Sequence, residues 1–194
     1  MNLLDDESIR YVKDGSDILE ADADAIVIPV NCVGTMGAGL AQQASLRHPE
    51  MLCRYYEACR RKRIRAGGIL VWRNAFDGEN PRERVIADVP PPPRYIVLLA
   101  AKSHWRNPSR EEWVDSGLKA LAKWIKKSDV ESVAVPALGC GLGKLKWKRV
   151  RKLTEKRLGK ARCRVDIYEP GFTPKWKRDP PEMMEPSSSA QESV

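Results

Sequence analysis

The sequence predicts a three-layer α/β/α fold with a mixed, mostly parallel central sheet. Short β-branched apolar runs alternate along the chain with amphipathic stretches, and glycine-rich turns follow two of these runs. Continuous apolar runs are typical of strands in a parallel sheet that helices cover on both faces. A chain of 194 residues is long enough for one domain with a full core. We therefore expect one domain over residues 1–170.

The first strand and the two helices after it have clear signals. Residues 25–30, Ala-Ile-Val-Ile-Pro-Val, lie between acidic residues and a glycine-rich turn, which is typical of a buried strand. A helix is predicted over residues 37–48, where Pro49 ends it, and a second helix over residues 50–62. The apolar face of the second helix is expected to consist of Leu52, Tyr55 and Tyr56.

The middle of the chain is expected to supply three more strands. Their apolar runs lie at residues 69–72, 84–87 and 95–101. Residues 90–93 are consecutive prolines, whose fixed φ and missing N–H groups allow only an extended connector or a loop.

A longer helix is predicted from Ser109 to about Lys127. Ser109 and Glu112 have the spacing of a capping box, in which two side chains bond the free N–H groups of a helix start. Helical spacing favours a core role for the tryptophans of this segment over a stacking role. The expected apolar face consists of Trp113, Leu118, Leu121, Trp124 and Ile125.

The last predicted elements are a strand over residues 132–136, a helix over 148–158 and a strand over 164–168. After Pro170 the composition changes to Pro, Ser, Glu and Lys with few core-forming residues. We therefore expect a disordered tail over residues 171–194.

The composition excludes several classes of protein. No apolar run approaches the roughly 18 residues that a membrane span requires, and the first seven residues lack the features of a secretory signal. We expect a cytoplasmic protein without a membrane partner. The five cysteines form no CxxC pair and only two histidines are present, so we expect no disulfide, no metal site and no cofactor.

The positive charge is concentrated in one block. Residues 144–164 contain eleven basic residues and one acid, a net charge of +10 in a chain whose total is +8. A solvated helix face is the ordinary explanation for such a block. Clustered Lys and Arg also attract phosphates, so nucleic acid binding is the functional alternative, and a second basic cluster at residues 60–63 favours it too.

Two glycine-rich segments follow predicted strands, NCVGTMGAGL at residues 31–40 and PALGCGLGKL at residues 136–145. Glycine lets backbone N–H groups approach an anion, and the start of the next helix adds a favourable dipole. Two such loops at the carboxyl ends of strands would enclose a diphosphate, although tight turns alone also explain glycine loops. Neither segment matches the P-loop or the GxGxxG fingerprint, so a P-loop protein is excluded and a dehydrogenase is disfavoured.

These loops and their flanking segments resemble the macrodomain family. The matching segments occur in the family's order and spacing, and together they span about residues 9–170. NCVGTMGAG and GCGLGKLKW are the most specific, and they are similar to the branch that contains DNA ADP-ribosyl glycohydrolases and the terminal ADP-ribose protein glycohydrolase. The quoted segments are residues 17–39, 101–106, 136–147 and 168–170.

The resemblance implies roles for individual residues. Asp17 corresponds to an acid that accepts a hydrogen bond from the adenine amino group, with Ile18 as its apolar neighbour and Tyr168 near the ring. Asn31 corresponds to an asparagine near the distal ribose. The two glycine loops would bind the distal ribose and the diphosphate. Their expected ADP-ribose-binding residues are Cys32, Gly34, Thr35, Met36, Gly37, Gly39, Leu40, Leu138, Gly139, Cys140, Gly141, Leu142 and Gly143.

Lys102 corresponds to the catalytic lysine of this branch. It follows the apolar run at residues 95–101, and burial among other cations would lower its pKa. The resulting neutral amine could attack C1″ of a sugar or its ring-opened aldehyde. Taken alone, the sequence favours a solvated lysine at a strand end, and the family resemblance is what favours the catalytic role. Cys140 has no base near it in the sequence and is not expected to act as a nucleophile.

Two departures from the family pattern bear on the substrate. Gly143 stands where the protein-directed enzyme has an aspartate, and Ala38 stands where relatives often have a lysine. Because the missing aspartate fits the DNA-directed relatives, we expect removal of ADP-ribose from modified, single-stranded DNA. The rim of the pocket is then expected to carry Lys144, Lys146 and Lys148.

The resemblance further implies a cognate ADP-ribosyltransferase toxin as a partner, and with it a toxin–antitoxin or DNA repair role. Antitoxins of this branch carry a further domain that binds the toxin, and a tail of 24 residues is too short for it. We therefore expect a stand-alone relative or a truncated form. Three alternatives stay open: a protein-directed mono-ADP-ribosyl hydrolase, a non-catalytic ADP-ribose reader, and a plain nucleic-acid-binding protein.

Overall fold

A computed structural model describes residues 8–12, 15–74 and 91–170. Its six-stranded sheet has the order β1-β6-β5-β2-β4-β3, and β3 is antiparallel to its neighbour while the other pairs are parallel. The strands are β1 (Ile9–Val12), β2 (Ala25–Val30), β3 (Ile69–Arg73), β4 (Tyr95–Ala100), β5 (Ser132–Pro136) and β6 (Arg164–Tyr168).

Four α-helices and one 3-10 turn accompany the sheet in the described part of the chain. They are the turn Ile18–Glu20 and the helices α1 (Gly39–Arg47), α2 (Pro49–Arg60), α3 (Glu111–Ile125) and α4 (Trp147–Leu158). The mixed, mostly parallel α/β prediction is confirmed, and the predicted elements within the described residues agree with these bounds to within two residues.

The sheet separates two apolar layers because successive side chains of a strand point to opposite faces. On β2, Val27 packs in the layer covered by α3 and α4, whereas Ile26 and Ile28 pack in the layer covered by α1 and α2. Gly117 of α3 lies so close to β4 that a Cβ there would be 2.6 Å from Leu99. Burial on both faces explains why the strands are continuous apolar runs.

Strand β2 pairs with β5 only near its amino end, so the two strands separate toward their carboxyl ends. Only Ala25 and Ile26 of β2 pair with β5, whereas all six residues of β2 pair with β4. From β2 the chain continues to one side of the sheet and from β5 to the other, so the carboxyl ends of these two strands form a topological switch point. Ligands of open α/β sheets bind at such points.

One strand was not predicted, one residue was assigned to the wrong helix face, and two predictions lie outside the described residues. Strand β1 was not predicted, since its four residues carry too little periodicity, and its pairing with β6 defines it. Tyr56 does not share the buried face of Tyr55 on α2 and is exposed. The predicted strand at residues 84–87 and the tail at residues 171–194 lie outside the described residues.

The capping box predicted for α3 is wrong. The N-cap residue of α3 is Arg110, and no side chain caps the helix. Ser109 is buried instead, and its backbone N–H donates to Gly143 O at 3.0 Å. Ser109 therefore forms a tertiary contact with a loop that is distant in the sequence, and it does not form the predicted local cap of α3.

Candidate functional site

A cavity of about 850 Å³ lies at the carboxyl edge of the sheet. Tyr168, Pro136, Asn31 and Lys102 line it, and these residues end or follow β6, β5, β2 and β4. Because neighbouring strands lie about 4.8 Å apart, Tyr168 and Lys102 mark opposite ends of the cavity, with the switch point between them. The volume is within the usual range for small-molecule sites.

The first glycine loop, residues 31–39, is shaped by side chains. Asn31 is buried, and its Nδ2 donates to Thr35 O at 2.6 Å while its Oδ1 accepts from the Val33 N–H at 2.9 Å. The Tyr55 hydroxyl donates to Asn31 O at 2.8 Å from α2. Gly34 has a φ of +82°, which few other residues adopt, and it packs on Tyr56. The loop is therefore fixed to α2 through one asparagine and one tyrosine.

The first glycine loop leads directly into α1, so the start of this helix lies at the cavity. Gly37, Ala38, Gly39, Leu40 and Ala41 line it. No side chain caps α1 at Ala38, so the first N–H groups of the helix lack a capping acceptor among the described residues. A helix start with free N–H groups is a site for an anion.

The second glycine loop, residues 136–145, is shaped by close backbone packing. Gly139 has a φ of +72° and Lys144 one of +63°. Leu145 N donates to Gly139 O at 2.9 Å, which closes the loop. A Cβ at Gly143 would overlap both Gly139 O and the Ser109 hydroxyl. Position 143 therefore requires glycine, because the loop leaves no space for a side chain there.

The second loop also presents free N–H groups. Within the part of the chain that the structure describes, the N–H groups of Gly141, Leu142 and Gly143 donate to no acceptor. All three residues line the cavity, and no atom lies within 4 Å of the position of a Cβ at Gly141. Successive free amides form a cradle for an anion. The two loops thus present donors to one cavity from its two sides.

Ser109 lies beneath the second loop. Its Oγ is the only buried side-chain polar atom without a hydrogen-bond partner among the described residues. The residue lines the cavity and is 5% exposed. Both Gly139 and Gly143 approach it so closely that a Cβ on either would contact the side chain. Ser109 therefore supports the loop by its backbone and its volume, not by its hydroxyl.

Lys102 lies at the end of β4, where the sheet meets the second loop. Its Nζ donates to Leu142 O at 2.7 Å and lies 3.5 Å from Trp105 O. Burial and the positive charge of Lys144 lower the pKa of Lys102 from its ordinary value. The side chain is half-buried in the cavity wall, so it is not a freely solvated lysine.

Two cysteines near the cavity are unsuited to nucleophilic attack. Burial raises the pKa of Cys140 to about 11 and that of Cys32 to about 11. Both thiols therefore stay protonated at neutral pH, and the thiolate is the reactive form. Cys32 Sγ lies 3.3 Å from Lys102 O and not against the cavity.

The structure brings most of the residues singled out in the sequence to this cavity. Those that line it are Ile18, Asn31, Thr35, Met36, Gly37, Gly39, Leu40, Lys102, Gly139, Cys140, Gly141, Leu142, Gly143 and Tyr168. Four of the expected ADP-ribose-binding residues do not line it. Leu138 is fully buried in the core, Cys32 and Gly34 face other parts of the protein, and Asp17 accepts from the Leu19 N–H and pairs with Arg47 at 2.9 Å.

Sequence reasoning missed several lining residues, among them Gln43, Trp105, Ser109 and Glu169. A signal existed for Trp105, because it lies three residues after Lys102 and has no place in a periodic element. No local pattern could identify Ser109, since its position depends on a loop that is distant in the sequence.

The basic block divides into two parts. Arg149, Arg151, Arg157 and Arg164 form ion pairs with acidic residues, and Arg157 contacts Asp115 through two nitrogens at 2.7 and 2.5 Å. Lys144, Lys146 and Lys148, called the rim lysines after their expected position, are exposed and form no ion pair with any residue that the structure describes. None of the three lines the cavity itself.

The described residues contain neither a metal-binding cluster nor a membrane-spanning helix. Among the described residues no group of three or more His, Cys, Asp or Glu side chains could bind a metal ion. In the same residues, no helix has the length and apolar character needed to cross a membrane.

Comparison with known proteins identifies similar chains. The Macro domain family model matches residues 27–154. A Mycobacterium tuberculosis protein named DNA ADP-ribosyl glycohydrolase is 39% identical over 137 residues, which cover 70% of this chain and 35% of that protein. A Thermosipho africanus protein named as a DNA ADP-ribosyl transferase–DNA ADP-ribosyl glycohydrolase fusion is 33% identical over 150 residues, 75% of this chain and 38% of that one.

Solved structures agree with these matches. The macrodomain of Mycobacterium tuberculosis DarG has a TM-score of 0.74 at 34% identity, covering 84% of this chain and 98% of that one. Thermosipho africanus DarTG in complex with ADP-ribose has a TM-score of 0.72 at 29% identity, covering 87% of this chain and 44% of that one. The chain spans about 35–42% of the length of the first curated relatives it matches.

Proposed function

The chain belongs to the macrodomain family, and on that premise we propose that it binds ADP-ribose and hydrolytically removes it from ADP-ribosylated DNA. The supporting observation is the pair of glycine loops in which residues with unbonded N–H groups line one cavity at the switch point of the sheet. Two sets of donors on opposite sides suit a diphosphate, which has acceptor oxygens in both directions.

The order of strand ends supports one orientation of the ligand. Ile18 and Tyr168 form an apolar and aromatic end suited to the adenine. The two loops follow, and Lys102 lies at the far end, where the distal ribose and its linkage would lie. The Thermosipho africanus relative, solved with ADP-ribose, supports this ligand for the fold. Asp17 pairs with Arg47 and would need to turn toward the cavity to contact the adenine amino group.

Lys102 supplies the chemistry in this proposal. Its lowered pKa increases the fraction of neutral amine, and the lone pair of Nζ attacks C1″ of the ribose. The bond between C1″ and the base breaks, and the base leaves with the bonding electrons and takes up a proton. Water then hydrolyses the lysine–sugar bond, which releases ADP-ribose and restores the amine.

Two observations favour DNA over protein as the modified macromolecule. The exposed rim lysines lie in the segment that continues from the second loop into α4, where a strand leaving the cavity would meet them. The aspartate that the protein-directed enzyme carries at position 143 has no room here, because a Cβ would overlap Gly139 O. The names of the similar proteins also support a DNA substrate, and the fusion relative supports an ADP-ribosyltransferase as the partner.

The test compares release of ADP-ribose from a single-stranded ADP-ribosylated oligonucleotide and from an ADP-ribosylated peptide. We expect turnover of the oligonucleotide, no turnover by Lys102→Ala, and binding of free ADP-ribose by both proteins in calorimetry. Binding without turnover of either substrate would indicate a reader. Faster release from the peptide would indicate a protein-directed hydrolase.

The rim lysines provide a second check on the substrate. Lys146→Glu with Lys148→Glu is expected to slow turnover of the oligonucleotide at moderate salt and to leave affinity for free ADP-ribose nearly unchanged. Each lost phosphate contact would reduce the slope of log K against log salt by about 0.7. Lys152→Glu, on α4 but outside the rim, is the matched control. An unchanged salt slope would mean that the rim is only a solvated face.

A further inference from the structure

We propose that Trp105 is the stacking surface for a nucleobase that flanks the modified base, so that the site binds a stretch of single strand as well as the ADP-ribose. This inference rests on the proposed function, because it names a contact with the remainder of that substrate. It is carried by the exposure of Trp105, by its position beside Lys102 and by the groups around its ring.

Trp105 is unusual among the tryptophans of the protein. Of the five that the structure describes, Trp72, Trp113, Trp124 and Trp147 are half-buried, and only Trp105 is exposed, at 48%. Exposing a large aromatic ring to water is unfavourable unless a partner covers it. Trp105 also lines the cavity, so a partly exposed ring lies at the mouth of a binding site.

The backbone places Trp105 next to the reacting bond. Lys102 Nζ lies 3.5 Å from Trp105 O and 2.7 Å from Leu142 O. In the proposed reaction this nitrogen attacks the carbon that carries the modified base. The base and the nucleotides attached to it therefore leave the cavity past residue 105. A ring at this point can contact the strand without contacting the adenine or the diphosphate.

The ring already forms part of a stack of planar groups. The rings of His104 and Trp105 are 5.5 Å apart between centroids with an angle of 27°, and the Arg106 guanidinium lies 4.6 Å from the indole centroid. Arg106 is exposed, and a nucleobase can stack on an aromatic face like the one that the guanidinium covers here. A base can therefore take the place of Arg106, which is then free to contact the adjacent phosphate.

The surrounding charge favours nucleic acid as the occupant. The exposed Arg106 and the rim lysines form no ion pair with any residue within the described ranges. An acidic peptide could form ion pairs with these cations, but it does not have a planar stacking group next to each negative charge. A single strand supplies both a phosphate and a stacking base at every nucleotide. We therefore assign Trp105 to a base and not to a protein side chain.

The experiment uses four ligands with the full chain: free ADP-ribose, an ADP-ribosylated mononucleotide, a single-stranded oligonucleotide that carries one such base, and an ADP-ribosylated peptide. For Trp105→Ala we expect kcat/KM on the oligonucleotide to fall about 5- to 150-fold, the range that loss of one stacked base corresponds to. Turnover of the mononucleotide and binding of free ADP-ribose are expected to change by less than about threefold.

Three variants control for loss of bulk and loss of folding. Trp105→Phe keeps a flat ring and is expected to recover most of the oligonucleotide turnover, whereas Trp105→Leu keeps an apolar side chain without a π-face and is not. Leu46→Ala removes an exposed apolar side chain that does not line the cavity, and it should match the wild type. Retained binding of ADP-ribose by Trp105→Ala shows that the cavity is folded.

Each other outcome overturns the inference. Equal losses on the mononucleotide and the oligonucleotide would mean that Trp105 supports the cavity and not the strand. An equal loss on an ADP-ribosylated peptide would mean that the ring contacts protein substrates. Unchanged turnover by Trp105→Ala would mean that the ring binds nothing. Failure of the wild type to bind ADP-ribose would instead refute the proposed function itself, before any Trp105 variant is compared.

Discussion

The two glycine loops face the same cavity, but they are fixed by different means. The first loop depends on side chains: the Asn31 amide bonds Val33 and Thr35, and Tyr55 bonds Asn31. The second depends on backbone packing, because Gly143 lies against Gly139 O and Ser109 with no space for a Cβ. Substitutions that add atoms should therefore disrupt the second loop, and substitutions that remove hydrogen bonds should disrupt the first.

The largest effect is expected from Gly143→Ala. The added methyl group must displace Gly139 or Ser109, and overpacking of this kind costs about 3 kcal/mol of unfolding free energy. Urea denaturation measures this cost, and calorimetry should show the affinity for ADP-ribose falling with it. Gly141→Ala is the control, since nothing lies within 4 Å of its Cβ position. Equal stability of the two variants would contradict the packing difference within the second loop.

In the first loop, Asn31→Ala is expected to lower the unfolding free energy by about 2 kcal/mol. The substitution leaves the Val33 N–H and Thr35 O without their partner, and unsatisfied polar groups are costly. Tyr55→Phe removes only one hydroxyl and should cost about 1 kcal/mol. Denaturation curves of both variants test this order. A smaller loss for Asn31→Ala than for Tyr55→Phe would show that the amide does not fix the loop.

A pH profile tests how the second loop acts on Lys102. The positive charge of Lys144 contributes to the lowered pKa of Lys102, and the proposed reaction needs the neutral amine. Turnover should therefore rise with pH, with a midpoint below that of an ordinary lysine. Lys144→Ala should move the midpoint to higher pH, because a positive charge near Lys102 is lost, whereas Lys152→Ala should not. A midpoint that is the same in all three proteins would mean that Lys144 does not affect the pKa of Lys102.

The smallest effect is expected from Ser109→Ala. The Ser109 hydroxyl has no hydrogen-bond partner among the described residues, so its removal should change the unfolding free energy by less than about 0.5 kcal/mol. Denaturation and ADP-ribose calorimetry should both match the wild type. A loss above about 1 kcal/mol would mean that the hydroxyl is bonded in solution and that the second loop also depends on a side chain.

Much of the fold could be predicted because strands and helices have local signals. The runs at residues 25–30, 95–101 and 132–136 are continuous and β-branched, and each became a strand of the parallel sheet. Strand β1 has only four residues and gained its pairing from β6, which is more than 150 residues away. The capping box at Ser109 was predicted from local spacing, and contact with Gly143 overrode it.

The sequence by itself determined the α/β alternation, the two glycine loops at strand ends and the lysine that follows β4, because backbone propensity and the period of apolar residues are local properties. Only the tertiary structure decided which loop depends on hydrogen bonds and which on packing, which basic residues pair with acids, and why Lys102 Nζ contacts Leu142 O. Those outcomes depend on atoms far apart in the chain, and the sheet brings them together where β2 and β5 diverge.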